Sequence, residues 1–285
     1  MDQRLQFVFE EKANSEVILG LSASLRKGYE EIWRGYYGYS HDDVKIDSAI
    51  LFGIGSITKN ITAAIILQLA DEGKLLLSDK ISDYLPDYYN VNSSITIEQL
   101  LNHTSGIYNL TDNALFWIAV QGQPNKIWEP GEQLGYVQYP VFEPGSDYAY
   151  SNTNYILLGM IIEEVTDNSF AEELHNRITE PIQLKQMFLY PNDILIGSLS
   201  HVWNLSLNMN LDITSANNTK AMFSIAYSAG AIVSTAGDLS KYFYALNSGS
   251  ILSLQSLMAM QTGSSQKFRL WLGHFYKRTD PNGEK

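Results

Sequence analysis

The sequence contains no cysteine. That excludes disulfides, thiol nucleophiles and zinc–thiolate sites. Basic residues are scarce, 19 Lys and Arg against 31 Asp and Glu, for a net charge of −12. A field of that sign excludes nucleic acid as the main partner. No unbroken apolar run reaches the roughly 18–20 residues that a membrane span needs. The opening "MDQRLQFVFEEKANSE" lacks the apolar core of a signal peptide. Gly-x-Ser-x-Gly is absent, so no α/β-hydrolase elbow is expected. The histidines (His41, His103, His175, His201 and His274) have no metal-like spacing, and neither a metal nor an organic cofactor is expected. There remain 285 residues, 45% hydrophobic and 18% charged. That composition describes a globular protein of one large domain or two interleaved ones.

The chain reads as strands, then helices, then strands. "EVILGLSASLRKGYEEIWRGYYGYS" alternates apolar and polar residues around Lys27-Gly28, which predicts a hairpin. From Ser56 the period becomes helical, with Ile57, Ile61, Ala64, Ile65, Gln68 and Leu69 near one stripe and Gly73 at the expected cap. Thr96 to Gln99 spells a capping box that opens a short helix closed by Gly106. "NTNYILLGMIIEEVTDNSF" predicts an amphipathic helix. "TAGDLSKYFYALNSG" predicts another, started by Thr235 or Asp238, and "KFRLWLGHFYKRTD" predicts a strand. No linker or repeat interrupts the chain, so its two ends are expected to share one sheet with the helical middle inserted between them.

Three Ser-x-x-Lys matches occur: Ser24–Lys27, Ser56–Lys59 and Ser264–Lys267. Ser24 lies in the predicted hairpin, where an offset of three points side chains to opposite faces. Ser264 lies in the loop "TGSSQK". Only Ser56 opens a strong helix, where i and i+3 share a face. Free N–H groups and the helix dipole there favour developing negative charge. A Lys59 sequestered from water could lose its proton and accept one from Ser56. The alternative is a serine that merely caps the helix above a surface lysine. The same stretch mimics a dinucleotide fingerprint, but Thr58 stands where the third glycine is needed, and that reading is rejected.

In "FEPGSDYAYSNTNY", Tyr150 and Asn152 are spaced to face one side of an extended loop. Beside a lysine ammonium the Tyr150 phenolate would form more easily, making Tyr150 a base or proton shuttle. Asn152 would hold a substrate carbonyl and orient Lys59. The plainer reading is a packed tyrosine and a helix-capping asparagine. Tyr108, Trp117, Trp128, Tyr136 and Tyr139 either line a pocket or belong to the core of the helical part.

Together, "FGIGSITKNITAAIILQLADEGKLLLSDKISDYLP", "ITIEQLLNHTSGI", "FEPGSDYAYSNTNYILLGMIIEEVTDNSF" and "SAGAIVSTAGDLSKYFYAL" resemble the serine β-lactamase and penicillin-binding-protein-like family. The likeness is to its class C and D-alanyl-D-alanine carboxypeptidase branch and runs from about residue 15 to the end. The resemblance implies an α+β fold, with an antiparallel sheet flanked by helices and an inserted all-helical subdomain. Residues 1–55 and 220–285 would form the sheet-containing part, and 56–219 the mostly helical part. It implies Ser56 as an acylated nucleophile with Lys59 its partner, Tyr150 and Asn152 as the second element, and "HTSG" at 103–106 as a structural turn.

The family's third element, a Lys-Thr-Gly or histidine-containing strand, has no clear counterpart. Gln261-Thr262-Gly263 mimics it within a helix-to-loop ending, and His274 falls in the strand that would precede it. That element supplies one of two oxyanion donors, and one lost donor costs about 10²–10³ in rate. The expectation is a fragment or shortened product, the rivals being a sheet completed by a swapped segment or a homo-oligomer, and a degenerate relative. The expected function is hydrolysis of an amide or ester carbonyl (a D-amino-acid peptide, a β-lactam or a simple ester) through an acyl-enzyme. The alternative is a non-catalytic protein that binds a small molecule or peptide of peptidoglycan type. The resemblance implies a periplasmic or extracellular setting.

Overall fold

The computed structural model describes residues 2–15, 18–204, 211–217 and 219–262. An N-terminal helix, α1 (Asp2–Ser15), precedes a hairpin of β1 (Gly20–Lys27) and β2 (Glu30–His41). The hairpin turns at Gly28, whose φ of +65° suits glycine. β3 (Val44–Lys45) extends this antiparallel sheet in the order β1-β2-β3. The sequence reading did not anticipate α1. It lies along β2, where Phe9 meets the edge of Trp33 at 5.3 Å.

β4 (Ile50–Gly53) leads through a short turn of helix, Gly55–Ile57, into α2 (Thr58–Asp71). α3 (Ile97–Leu101), α4 (Ala114–Gln121) and α5 (Pro130–Leu134) follow, and then α6 (Asn152–Thr166) and α7 (Phe170–Leu174). Two short strands come next, β5 (Met187–Leu189) and β6 (Ser198–Leu199), and a small ribbon of β7 (Trp203–Asn204) and β8 (Leu211–Asp212). The chain continues through α8 (Thr214–Asn217), α9 (Lys220–Gly230), β9 (Ile232–Ser234), α10 (Ala236–Asn247) and α11 (Leu254–Thr262).

A second sheet runs β5-β9-β4-β6. It is antiparallel except for β4 and β6, which pair in parallel through Ile50–Ser198 and Leu51–Leu199. The fold is therefore α+β, as the resemblance implies. β4 and β9 come from the 1–55 and 220–285 parts, whereas β5 and β6 lie within 56–219. The predicted strand over "KFRLWLGHFYKRTD", with His274, lies outside the described residues. Gln261 and Thr262 end α11, and Gly263 lies beyond them.

α2 is the axis of the helical part. The sequence predicts a stripe, but Thr58 through Leu67 and Leu69 are all buried. α6, α7, α9 and α11 contact it, so only its last turn, at Gln68, Ala70 and Asp71, reaches water. Ile61, Ile65, Ile66 and Leu69 have no exposed surface, and each such side chain contributes about 1.5–3 kcal/mol. Gly73, at φ +70°, closes the helix, and the next N–H, that of Lys74, donates to the Leu69 carbonyl. α6 crosses α2 with Ile156, Leu157, Leu158, Ile161 and Ile162 buried. The capping box of α3 forms as read: Gln99 N–H donates to Thr96 Oγ1, and Thr96 N–H donates to Gln99 Oε1. Thr235, rather than Asp238, caps α10. Trp128 is buried and Tyr108, Trp117 and Tyr136 pack against the core, so these rings are chiefly structural, while Tyr139 is exposed.

Candidate active site

Ser56 sits in the helical turn just before α2. It does not cap that helix, because Ile57 holds the cap position and no side chain bonds there. Its hydroxyl lies 2.8 Å from the Tyr150 hydroxyl and 3.3 Å from Lys59 Nζ. The four residues singled out by the sequence, Ser56, Lys59, Tyr150 and Asn152, are thus brought into one hydrogen-bonded cluster.

Lys59 has no exposed surface. Its Nζ donates to Asn152 Oδ1 and to the carbonyl of Ala229, both at 2.7 Å, and lies 4.9 Å from the centre of the Tyr150 ring. No carboxylate pairs with it among the described residues. Burial disfavours the ammonium and pushes its pKa down from 10.5 to about 7. Nζ thus faces three oxygens, Asn152 Oδ1, the Ala229 carbonyl and Ser56 Oγ. As an ammonium it donates to all three; a neutral amine held by the first two would leave its lone pair for the Ser56 hydroxyl.

Tyr150 behaves differently from the sequence expectation. Burial raises its pKa, and this outweighs the opposing hydrogen bond from Ser56. A phenolate is not favoured, because desolvation penalises its charge and nearby Tyr148 adds to that. Tyr150 is therefore a protonated donor at neutral pH. Its hydroxyl also lies 3.2 Å from Asn152 Oδ1.

Asn152 is held by residues the sequence reading did not single out. Its Nδ2 donates to Thr111 Oγ1 at 3.1 Å, and Thr111 Oγ1 donates to Asn109 Oδ1 at 3.0 Å. That chain fixes the amide with its oxygen toward Lys59. The backbone N–H of Asn152 also donates to Asn109 Oδ1. Asn109 and Thr111 follow "HTSG" closely, which was the available signal. The Ala229 carbonyl had none, since a main-chain oxygen is the same for every residue type.

The "HTSG" turn fastens the start of α6. Buried His103 accepts from Ser151 N–H at Nδ1 (3.2 Å), and its carbonyl accepts from Ala149 N–H. Burial, then the charge of Lys59, push His103 down to about 3. It stays neutral with its proton on Nε2. Ser105 donates to Asn154 Oδ1, and Thr153 donates to the Tyr108 carbonyl. Among the described residues no cluster of His, Asp and Glu could hold a metal, and no helix is long and apolar enough to cross a membrane.

The chain matches the family model described as Beta-lactamase over residues 5–274. It is 32% identical over 195 residues to Protein flp of Staphylococcus aureus strain MW2, covering 64% of this chain and 37% of that protein. The chain thus spans well under half the length of this relative. Among solved structures it is similar to a D-stereospecific amidohydrolase from Streptomyces sp. (TM-score 0.75, 31% identity, 89% of this chain and 75% of that one). It is also similar to a D-amino acid amidase from Ochrobactrum anthropi SV3 (TM-score 0.76, 25% identity, 90% and 74%).

Proposed function

The chain belongs to the beta-lactamase family, whose members are serine hydrolases, and from that premise we propose that Ser56 is the nucleophile of an acyl-transfer site acting on an amide or ester carbonyl. The observation that carries this reading is the buried, near-neutral Lys59. Asn152 Oδ1 and the Ala229 carbonyl each accept from Nζ, so once the amine is neutral the position it keeps toward Ser56 Oγ, at 3.3 Å, is its lone pair.

Lys59 takes the Ser56 proton as Oγ attacks the carbonyl carbon. The protonated Tyr150, 2.8 Å from Oγ, donates to the leaving group as the bond to carbon breaks. The Lys59 ammonium returns its proton to Tyr150, which restores both groups. Water then hydrolyses the ester at Ser56 with the same two groups acting in reverse. Asn152 orients Lys59, and the second N–H of its amide is available to a substrate carbonyl. The similarity to two hydrolases of D-amino acid derivatives supports a D-aminoacyl amide or peptide as substrate.

The test is intact-mass spectrometry after incubation with a fluorophosphonate, followed by a panel of D- and L-aminoacyl amides. A single adduct at Ser56 is expected. It should be lost in Ser56→Ala and slowed about 10²–10⁴-fold in Lys59→Ala and Tyr150→Phe. A folded parent chain that forms no adduct, or a Lys59→Ala variant that labels at the parent rate, overturns the reading.

A further inference from the structure

α9 breaks at Tyr227, where φ is +36° and ψ −130°. For a bulky residue this is strained backbone, and such strain persists only where the surroundings impose it. The break turns the next two carbonyls toward α2. Ser228 O accepts from Thr62 Oγ1 at 2.7 Å, and Ala229 O accepts from Lys59 Nζ at 2.7 Å. Two contacts fix the break, one against α6 and one against α7. Ser228 Oγ donates to the Tyr155 carbonyl at 2.8 Å, and the buried Tyr227 ring meets Phe170 edge-on at 5.5 Å.

This approach is possible because position 159 of α6 has no side chain. A Cβ there would lie 2.1 Å from Ser228 Oγ, 2.6 Å from Ser228 Cβ and 2.6 Å from the Tyr227 ring. Those distances require something to move. Gly159 touches neither Ser56 nor a substrate. Its reach into the site runs through Ser228 and the adjoining Ala229 carbonyl.

From this geometry we infer that Gly159 and Tyr227 are positioning residues: the strained break, admitted by the bare α6 backbone at Gly159, aims the Ala229 carbonyl at Lys59 and thereby aims the lysine lone pair at Ser56. The inference rests on the proposed role of Lys59. It adds the claim that this role is set from outside the cluster. A neutral amine with one N–H unheld can rotate, and its lone pair then leaves the Ser56 hydroxyl. The effect falls on the proton-transfer step and not on substrate affinity.

The experiment is Gly159→Ala with two readouts. The first is the rate of Ser56 acylation by a fluorophosphonate at pH 8.5, beside the affinity for a non-covalent D-aminoacyl amide analogue. The rate is expected to fall about tenfold or more, since misplacement by about 1 Å can cost 10²-fold, while affinity is unchanged. The second is the titration of Lys59 Nζ followed by nitrogen NMR, which needs no reaction at Ser56. Loss of the carbonyl acceptor disfavours the ammonium, so the titration moves to lower pH. A folded variant with parental rate, or with an unmoved titration, overturns the inference. If the parent chain itself does not acylate, the hydrolase reading falls, and the Lys59 titration still decides whether Gly159 sets the amine. If Gly159→Ala does not fold, Ser228→Ala removes only the hydroxyl tying the break to α6. The same two changes are then expected in smaller measure, and their absence is equally decisive against it.

Discussion

Lys59 should announce its state through pH. Its amine releases a proton near 7 because burial removes the water that would solvate the charge. The neutral fraction is then about 10% at pH 6 and about 90% at pH 8. In the proposed mechanism acylation of Ser56 uses the neutral form, so its rate should rise about tenfold per pH unit well below 7 and level above about pH 8. The assay is timed quenching of fluorophosphonate labelling from pH 5.5 to 9, read by intact mass. A lysine left in water would put the inflection above pH 10. A rate that is flat across this range, or an inflection that survives unmoved in Lys59→Ala, refutes the assignment. The same burial has a price in stability. The fall from 10.5 to about 7 corresponds to about 5 kcal/mol. Between those pH values the unfolded chain binds the proton and the folded chain does not, so stability rises with pH across that window. The full penalty is present below about pH 7 and is gone above 10.5. Denaturant midpoints of the parent, measured against Lys59→Met, should therefore climb from pH 7 to 10.

Two further outcomes test the surrounding fold. His175 Nε2 lies 3.0 Å from Asp193 Oδ2, and that partner raises the histidine pKa above 6.5; the stability it contributes is full below that value and is lost as pH rises through the raised one. The stability gap between the parent and Asp193→Asn, followed by thermal melts, should be widest near pH 5.5 and shrink by pH 8.5, and a gap independent of pH discounts the ion pair. Gly106 closes the "HTSG" turn at φ +73°, and a Cβ there would stand 2.0 Å from the Phe142 carbonyl oxygen. Gly106→Ala should cost about 1–3 kcal/mol in urea unfolding, and a neutral substitution means the turn is less constrained than described.

The readable parts of this molecule were those written in side-chain spacing. Ser56 and Lys59 meet because three residues make one helical turn, and Tyr150 and Asn152 meet because two residues make one extended repeat. Helix starts at Thr96 and Thr235 were legible because a hydroxyl three residues before an N–H has a local energetic reason to be there. What the sequence hid was set by tertiary environment. The full burial of α2 depends on neighbours far along the chain, and its stripe could not show them. The Tyr150 pKa went the other way from expectation because desolvation depends on packing. Thr111 orients Asn152 across 41 residues, and Ala229 acts through its main chain. α1 was missed because its pattern is mostly polar, with Ala13 its buried side chain.

The contacts that make Lys59 unusual join distant stretches of chain. Asn152 is 93 residues away and Ala229 is 170, while Ser56 meets Tyr150 across 94. Helices form in microseconds from local contacts, but contacts of such separation wait on the closing of long loops. During refolding, helical circular dichroism should therefore recover before Ser56 becomes reactive. A chain emerging from synthesis carries an ordinary serine and an ordinary charged lysine. On the role proposed for Ser56, its reactivity should therefore appear only once these distant stretches have docked.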